Sequence, residues 1–143
     1  TRRPGAETAA RNLPRFVRGL RDAGVRVGTG PALVAAEALS QIDVTLRGEI
    51  VDSKCYAGRM RPGVGHGHRA CAQLCILGGI PPVLVTTGTN GGEIHYVLAS
   101  RAGGRLNDAV APFAAEPVEV RGRLVRRGDL HVLRIDPAEI RRQ

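Results

Sequence analysis

The sequence predicts a mainly β protein: a five-stranded barrel with a cysteine- and histidine-rich insertion after its first strand, preceded by a helical hairpin. Three observations support this fold class. The 143 residues suffice for one domain of ordinary size with a modest appendage. After residue 43, apolar and polar residues alternate in several short runs, as they do in half-buried strands. Nineteen glycines and nine prolines favour many turns over a helical bundle.

The N-terminal part, residues 1–42, is predicted to form the helical hairpin. Over residues 9–23, apolar residues recur at spacings of three and four, which is typical of an amphipathic helix. A second helix fits residues 31–40, after a short glycine-containing turn. The predicted domains are therefore 1–42, the hairpin, and 43–143, the barrel.

The strands of the barrel follow in sequence order. They are predicted over residues 44–51, 83–87, 94–99, 118–125 and 130–135. A turn containing Asn90-Gly91 joins the second strand to the third as a hairpin. A helix over residues 107–114, with Asn107 as its N-cap, separates the third strand from the fourth.

The first and fourth strands share an internal Arg-Gly step, at Arg47-Gly48 and Arg121-Gly122. A glycine inside a strand often marks a bulge or a tight bend at a barrel corner. Two such steps predict two strongly curved strands.

The element order and the two Arg-Gly strands resemble the OB-fold over residues 44–136. The resemblance implies a five-stranded OB-like barrel in which the first and fourth strands are neighbours. It also implies that ligands bind on the barrel face and its flanking loops, including the loop after the first strand. In this chain that loop is 52–82, and it carries all three cysteines.

Two further resemblances carry no function. The loop is similar to a motif of uncharacterised bacterial OB-like domains, with Asp-x-Lys-Cys at 52–55, His-Arg-x-Cys-Ala-x-x-Cys at 68–75 and Gly-Gly-x-Pro-Pro at 78–82. Residues 1–45 resemble the N-terminus of CoxE-like von Willebrand factor A proteins. The metal-binding Asp-x-Ser-x-Ser loop of that family is absent from the sequence, so its function is not implied.

The insertion is the predicted seat of chemistry. Residues 69–77 are predicted to form a short helix ended by Gly78-Gly79, with Cys71 and Cys75 one turn apart on one face. Cys55 would approach from the end of the first strand. His68 and Cys75 would be ~10 Å apart along a regular helix, so both can hold one ion only if His68 lies in the loop before the helix.

The predicted metal ligands are Cys55, His68, Cys71 and Cys75, with His66 as an alternative. Three sulfurs and one imidazole suit zinc or another thiolate-bound metal in tetrahedral coordination. The alternative is a disulfide from Cys55 to Cys71 or Cys75, which would tie the glycine-rich loop to the barrel. Because three cysteines cannot all pair within one chain, the third thiol would then stay free and buried. A disulfide between Cys71 and Cys75 is disfavoured, since their side chains run parallel on one helical face.

A catalytic thiol is a weaker interpretation. Cys71, beside Arg69 in the first turn of its helix, has the surroundings of a reactive cysteine, and His66 or His68 could act as its base. Because Asp52 is the only separate carboxylate placed to orient such a base, the sequence favours a non-enzymatic protein. The predicted function is a metal- or redox-centre-binding OB-like domain with a Cys3His cluster.

The formal net charge of +8 gives the alternative function, a nucleic-acid-binding OB-fold with a disulfide-stapled loop. All but one of the cations are arginines, and they are spread along the chain. With two tyrosines and no tryptophan, stacking side chains are scarce, so solvated charges are favoured over a nucleic-acid interface.

The compartment is inferred only from indirect features. No apolar run is long enough to cross a bilayer, and no secretory signal is visible. The chain begins at Thr1, which is compatible with an upstream leader or anchor that has been removed. A cysteine-stapled loop in a small barrel suits an exported domain, so the sequence favours an extracytoplasmic setting.

Overall fold

The structure is a computed structural model that describes residues 41–143, and the predicted N-terminal hairpin lies outside these residues. The described strands are β1 Ile42–Asp52, β2 Pro82–Thr87, β3 Glu93–Ser100, β4 Pro117–Arg127, β5 Leu130–Ile135 and β6 Ile140–Arg142. The described α-helices are α1 Ser53–Ala57, α2 Arg69–Leu77 and α3 Asn107–Val110. Short 3-10 turns lie at His66–His68, Ala111–Phe113 and Pro137–Glu139.

Strands β1 to β5 close into a barrel, as predicted. The chain pairs β1 with β2, β2 with β3, β3 with β5 and β5 with β4, and only the β3–β5 pair is parallel. The barrel closes where β1 pairs with β4, with Val44 opposite Gly122 and Gly48 opposite Val118. The pairing of the two Arg-Gly strands is therefore confirmed.

Strand β1 bends because it serves two neighbours in succession. It pairs with β4 as far as Glu49 and with β2 from Glu49 onward. At the change of partner, a Cβ on Gly48 would lie 2.0 Å from the carbonyl oxygen of Val85. On β4, a Cβ on Gly122 would lie 2.7 Å from Cγ2 of Ile135. Both glycines thus sit where neighbouring atoms leave no room for a side chain.

The core fills the barrel and continues beneath α2 and α3. Alternate residues of β4 point inward, so that Val118 and Val120 are fully buried while Arg121 is exposed. Ile76 of α2 and Val110 of α3 close one end of this core, each with no exposed surface. Helix α2 is therefore anchored to the barrel by its apolar face, which fixes the position of the cysteines on its other residues.

The prediction of Asn107 as an N-cap was wrong. Leu106 occupies the cap position of α3, and the Asn107 side-chain amide instead donates to the carbonyls of Ile76 at 2.7 Å and Ile80 at 2.9 Å. The carbonyl of Ile76 lies in the last turn of α2 and that of Ile80 lies in the connection to β2, so the amide joins the end of the helix to the segment that follows it. The predicted helix over 107–114 is also shorter, since a 3-10 turn containing Pro112 replaces its second half.

Sequence patterns did not predict α1 or β6. Strand β6 has three residues and pairs with β4 beyond the barrel, with Ile140 opposite Val120.

Among residues 41–143, the helices are too short or too polar to cross a membrane.

Candidate metal centre

The site begins where β1 ends. Asp52 is the last residue of the strand and the N-cap of α1, and its Oδ1 accepts a hydrogen bond of 2.8 Å from the backbone N–H of Cys55. A carboxylate at an N-cap satisfies one of the free amides of the first helical turn. Cys55 therefore lies on a short helix rather than on the strand end that the sequence indicated, and only 2% of it is exposed.

His68 enters the site from the turn that precedes α2. It is the last residue of the 3-10 turn and lies immediately before the helix, which is the placement that the spacing required. Its Nε2 is 2.9 Å from Oδ2 of Asp52, and both side chains are buried. One carboxylate thus contacts both the first turn of α1 and the start of α2.

Helix α2 supplies the other two sulfurs and has the bounds that the sequence predicted. It ends at Leu77, where the N–H of Gly78 donates to the carbonyl of Leu74 and that of Gly79 to the carbonyl of Ile76. Cys71 is exposed and Cys75 is half-buried, so these thiols lie between the barrel and solvent.

The ligand atoms form two overlapping groups. The sulfurs of Cys55, Cys71 and Cys75 lie within 4.8 Å of one another. Within the same limit, Cys55 also groups with Asp52 and His68. The structure therefore brings the four predicted residues together around Cys55, although His68 is not within this distance of all three sulfurs.

Asp52 and His66 differ from the roles that the sequence indicated for them. Asp52 belongs to the site, whereas the sequence had suggested it only as an orienting carboxylate. An N-cap side chain commonly accepts a hydrogen bond from the backbone N–H three residues later, and Asp52 and Cys55 have this spacing. The spacing could therefore have predicted that the two residues lie close together. His66, the alternative ligand, belongs to neither group among the described residues.

The predicted disulfide from Cys55 to Cys71 or Cys75 is not formed, because all three cysteines carry free thiols. The guanidinium of Arg69, which the sequence places beside Cys71, donates to the carboxylate of Glu116. The arrangement thus leaves three free sulfurs, which are soft donors suited to Zn²⁺ or Cu⁺.

Burial affects the protonation of two of the thiols, Cys55 and Cys75. It raises the pKa of Cys55 to about 12, and the neighbouring Asp52 carboxylate adds to the shift because it disfavours a second negative charge. Burial also raises the pKa of Cys75, again with a contribution from Asp52. Both thiols are therefore protonated in the metal-free protein near neutral pH, and a metal ion would have to displace these protons.

Asp52 is ionised in spite of its position. Burial alone would raise its pKa, but the backbone N–H of Cys55 and the imidazole of His68 stabilise the carboxylate and hold its pKa below the ordinary value. A fully buried anion thus lies beside the sulfur cluster.

Comparison of the chain with protein-family models, with curated proteins and with solved structures found no match.

Proposed function

We propose that this protein binds a thiophilic metal ion, in the first instance Zn²⁺, through the thiolates of Cys55, Cys71 and Cys75. The observation that carries the proposal is the mutual proximity of the three sulfurs, which lie within 4.8 Å of one another. Sulfurs bound to one tetrahedral zinc ion at ~2.3 Å are ~3.8 Å apart, so only a modest contraction separates the free thiols from a ligand set.

The way in which the sulfurs are held supports this proposal. Cys55 is fixed by the N-cap of α1, while Cys71 and Cys75 are fixed by a helix whose apolar face packs in the core. These two supports are linked through Asp52 and His68. The donors are therefore positioned by the fold before an ion arrives, which lowers the entropic cost of assembling the site.

The role that we propose is binding rather than catalysis. Cys71 is exposed, so the ion would be reachable from solvent through this ligand. A site with three protein donors leaves the fourth position of a tetrahedral ion for His68 or for an external ligand.

The test is a titration of the reduced, chelator-treated full chain with Co²⁺, followed by displacement with Zn²⁺. We expect one or more ions per chain and the intense near-ultraviolet charge-transfer absorption of thiolate-bound Co²⁺. Cys71→Ser, which changes an exposed residue, should weaken this absorption strongly. His66→Ala is the matched control and should leave it unchanged, because His66 lies in neither group. Binding without thiolate charge transfer, or loss of binding in His66→Ala, would contradict the proposal.

A second candidate function, binding of single-stranded nucleic acid, is favoured by one observation. Arg121, Arg123, Arg126 and Arg127 are exposed along β4, and Arg123 lies directly opposite Arg134 of β5. Like charges placed opposite each other destabilise a sheet unless an anion compensates them. Within residues 41–143, Asp43 lies 3.5 Å from Arg123, and no carboxylate pairs with Arg134.

Fluorescence anisotropy of a labelled oligonucleotide tests this second candidate. We expect binding at low salt that weakens steeply as salt rises, and a marked loss in the Arg121→Glu variant. Absence of binding at low salt would remove this candidate and would leave the metal-binding proposal intact.

A further inference from the structure

We infer that the cluster accommodates a second divalent metal ion in the group Asp52, Cys55 and His68, with the Cys55 thiolate bridging the two ions. This inference rests on the proposed function, since the first ion is the one held by the three sulfurs. The second ion is of the zinc type, because carboxylate, imidazole and thiolate are its three usual protein donors.

The geometry of the second group is close to that of a ligand set. Its three ligand atoms lie within 4.8 Å of one another. Oδ2 of Asp52 and Nε2 of His68 are 2.9 Å apart, against ~3.3 Å for two donors at ~2.0 Å from a tetrahedral ion. An ion can therefore replace the hydrogen shared by the two atoms if they move apart by only a few tenths of an ångström.

The remaining contacts of Asp52 are compatible with this replacement. Its other oxygen, Oδ1, accepts the backbone N–H of Cys55, and that hydrogen bond does not involve the ligand atom. The helix cap would thus persist with the ion bound. The Nε2 hydrogen of His68 would leave while its Nδ1 carries a hydrogen, so that the imidazole stays neutral, and the thiol hydrogen of Cys55 would leave as a proton to solvent, as metal binding generally requires.

Charge balance is the independent argument for two ions. Three thiolates around one Zn²⁺ carry a net charge of −1, and the buried Asp52 carboxylate beside them brings the cluster to −2. With a second Zn²⁺, the four anionic side chains balance four positive charges, and His68 contributes a neutral donor. Unbalanced charge is costly in a buried site, so the second ion removes a penalty that the first alone leaves.

The two positions differ in their access to solvent. The three-sulfur set includes the exposed Cys71, whereas Asp52, Cys55 and His68 are all buried. We therefore expect the ion at the three sulfurs to exchange quickly and the buried ion to leave slowly. Removal of zinc by a chelator should then proceed in two phases of equal amplitude.

The experiment is to count zinc ions on the full, reduced chain by native mass spectrometry and by release to a chelating dye. The expected result is two ions for the wild type and for the control variant His66→Ala. Asp52→Asn and His68→Ala should each retain one ion, held by the three sulfurs. Cys71→Ser should also retain one ion, held by the buried group.

A spectroscopic measurement keeps the inference testable if a buried variant fails to fold. Two Co²⁺ ions that share the Cys55 thiolate couple magnetically, so the paramagnetic resonance intensity of the wild type at two equivalents should fall well below twice that at one equivalent. One zinc ion per wild-type chain, with one ion still bound to Asp52→Asn, would overturn the second site and leave the proposed function standing. No zinc on the wild type would overturn both.

Discussion

At the scale of single residues, Asp52 determines how the site is assembled. It ends β1, caps α1 through the Cys55 amide and contacts His68 at the start of α2. Asp52 and His68 are 16 positions apart in the sequence. A helical cap is a local signal, but its link to His68 depends on how the insertion folds back, and no sequence pattern encodes that distance.

Gly48 provides a prediction about the closure of the barrel. Gly48→Ala should lower the free energy of unfolding by about 1–3 kcal/mol, because the added methyl group meets a backbone carbonyl of β2 at 2.0 Å and the strands must move apart. Urea unfolding measures the change. Gly67→Ala is the control, since its methyl group would have its nearest neighbour at 3.8 Å. Equal stability of the two variants would contradict the steric explanation of the bend.

Asn107 provides a second prediction at this scale. Asn107→Asp replaces an amide that donates to the carbonyls of Ile76 and Ile80 with a carboxylate that cannot donate, leaving two acceptors facing an anion. We expect a loss of about 1–3 kcal/mol in the free energy of unfolding.

Asn90→Asp is the matched control for this change. The Asn90 side chain accepts the N–H of Gly92 through its oxygen, which an aspartate retains. Its unfolding free energy should therefore stay close to that of the wild type. A similar loss in both variants would show that the amide of Asn107 has no special role.

At the scale of elements, the sequence could predict the helices and strands that local signals determine, but not those that depend on tertiary contacts. Helix α2 was predicted with its observed bounds because a Gly-Gly pair ends it. Helix α1 has five residues, too few for a periodic pattern, and β6 exists through its pairing with β4. The proximity of Cys71 and Cys75 follows from helical spacing, whereas the approach of Cys55 follows from the cap at Asp52.

Glu116 joins two of these elements and gives a prediction about pH. Its carboxylate accepts hydrogen bonds from Arg142 of β6, at 2.6 Å, and from Arg69 of α2. The hydrogen bond from Arg142 lowers the pKa of Glu116 against the opposing effect of burial, and Arg69 adds to the lowering. Because the folded-state pKa of Glu116 is lowered, its ionised carboxylate stabilises the folded protein at pH values above the ordinary glutamate pKa of about 4.3. This stabilisation is lost as pH falls through the lowered pKa.

The Glu116→Gln variant tests this sign. On metal-free protein, the difference in unfolding free energy between wild type and variant should be largest at neutral pH and should shrink toward about pH 3. Because Arg142 is half exposed, we expect a modest effect, of about 1 kcal/mol. Glu119→Gln, at the more exposed pair with Arg47, is the control and should change stability little. A difference for Glu116 that grows at acid pH would contradict the assignment.

At the scale of the whole molecule, the barrel positions an insertion that has little core of its own. Residues 52–82 enter from β1 and leave into β2, which are paired neighbours, so both ends of the insertion are fixed by one ladder with Asp52 opposite Pro82. Helix α2 adds Ala72 and Ile76 to the barrel core. The proposed metal binding within this segment would therefore be coupled to folding of the barrel, because the sulfurs are brought together only when both helices are in place.

This coupling predicts that zinc stabilises the protein by mass action. An ion that binds only the folded state should add about 1.4 kcal/mol to the free energy of unfolding for each tenfold rise in free zinc above the dissociation constant, and two ions should add about twice that slope. Urea unfolding in zinc buffers measures the slope. Magnesium should have no effect at the same concentrations, because it prefers oxygen ligands in octahedral geometry. Cys71→Ser should reduce the slope, whereas His66→Ala should retain it. A zinc slope of zero, or an equal effect of magnesium, would show that the cysteine cluster does not bind metal in the folded protein.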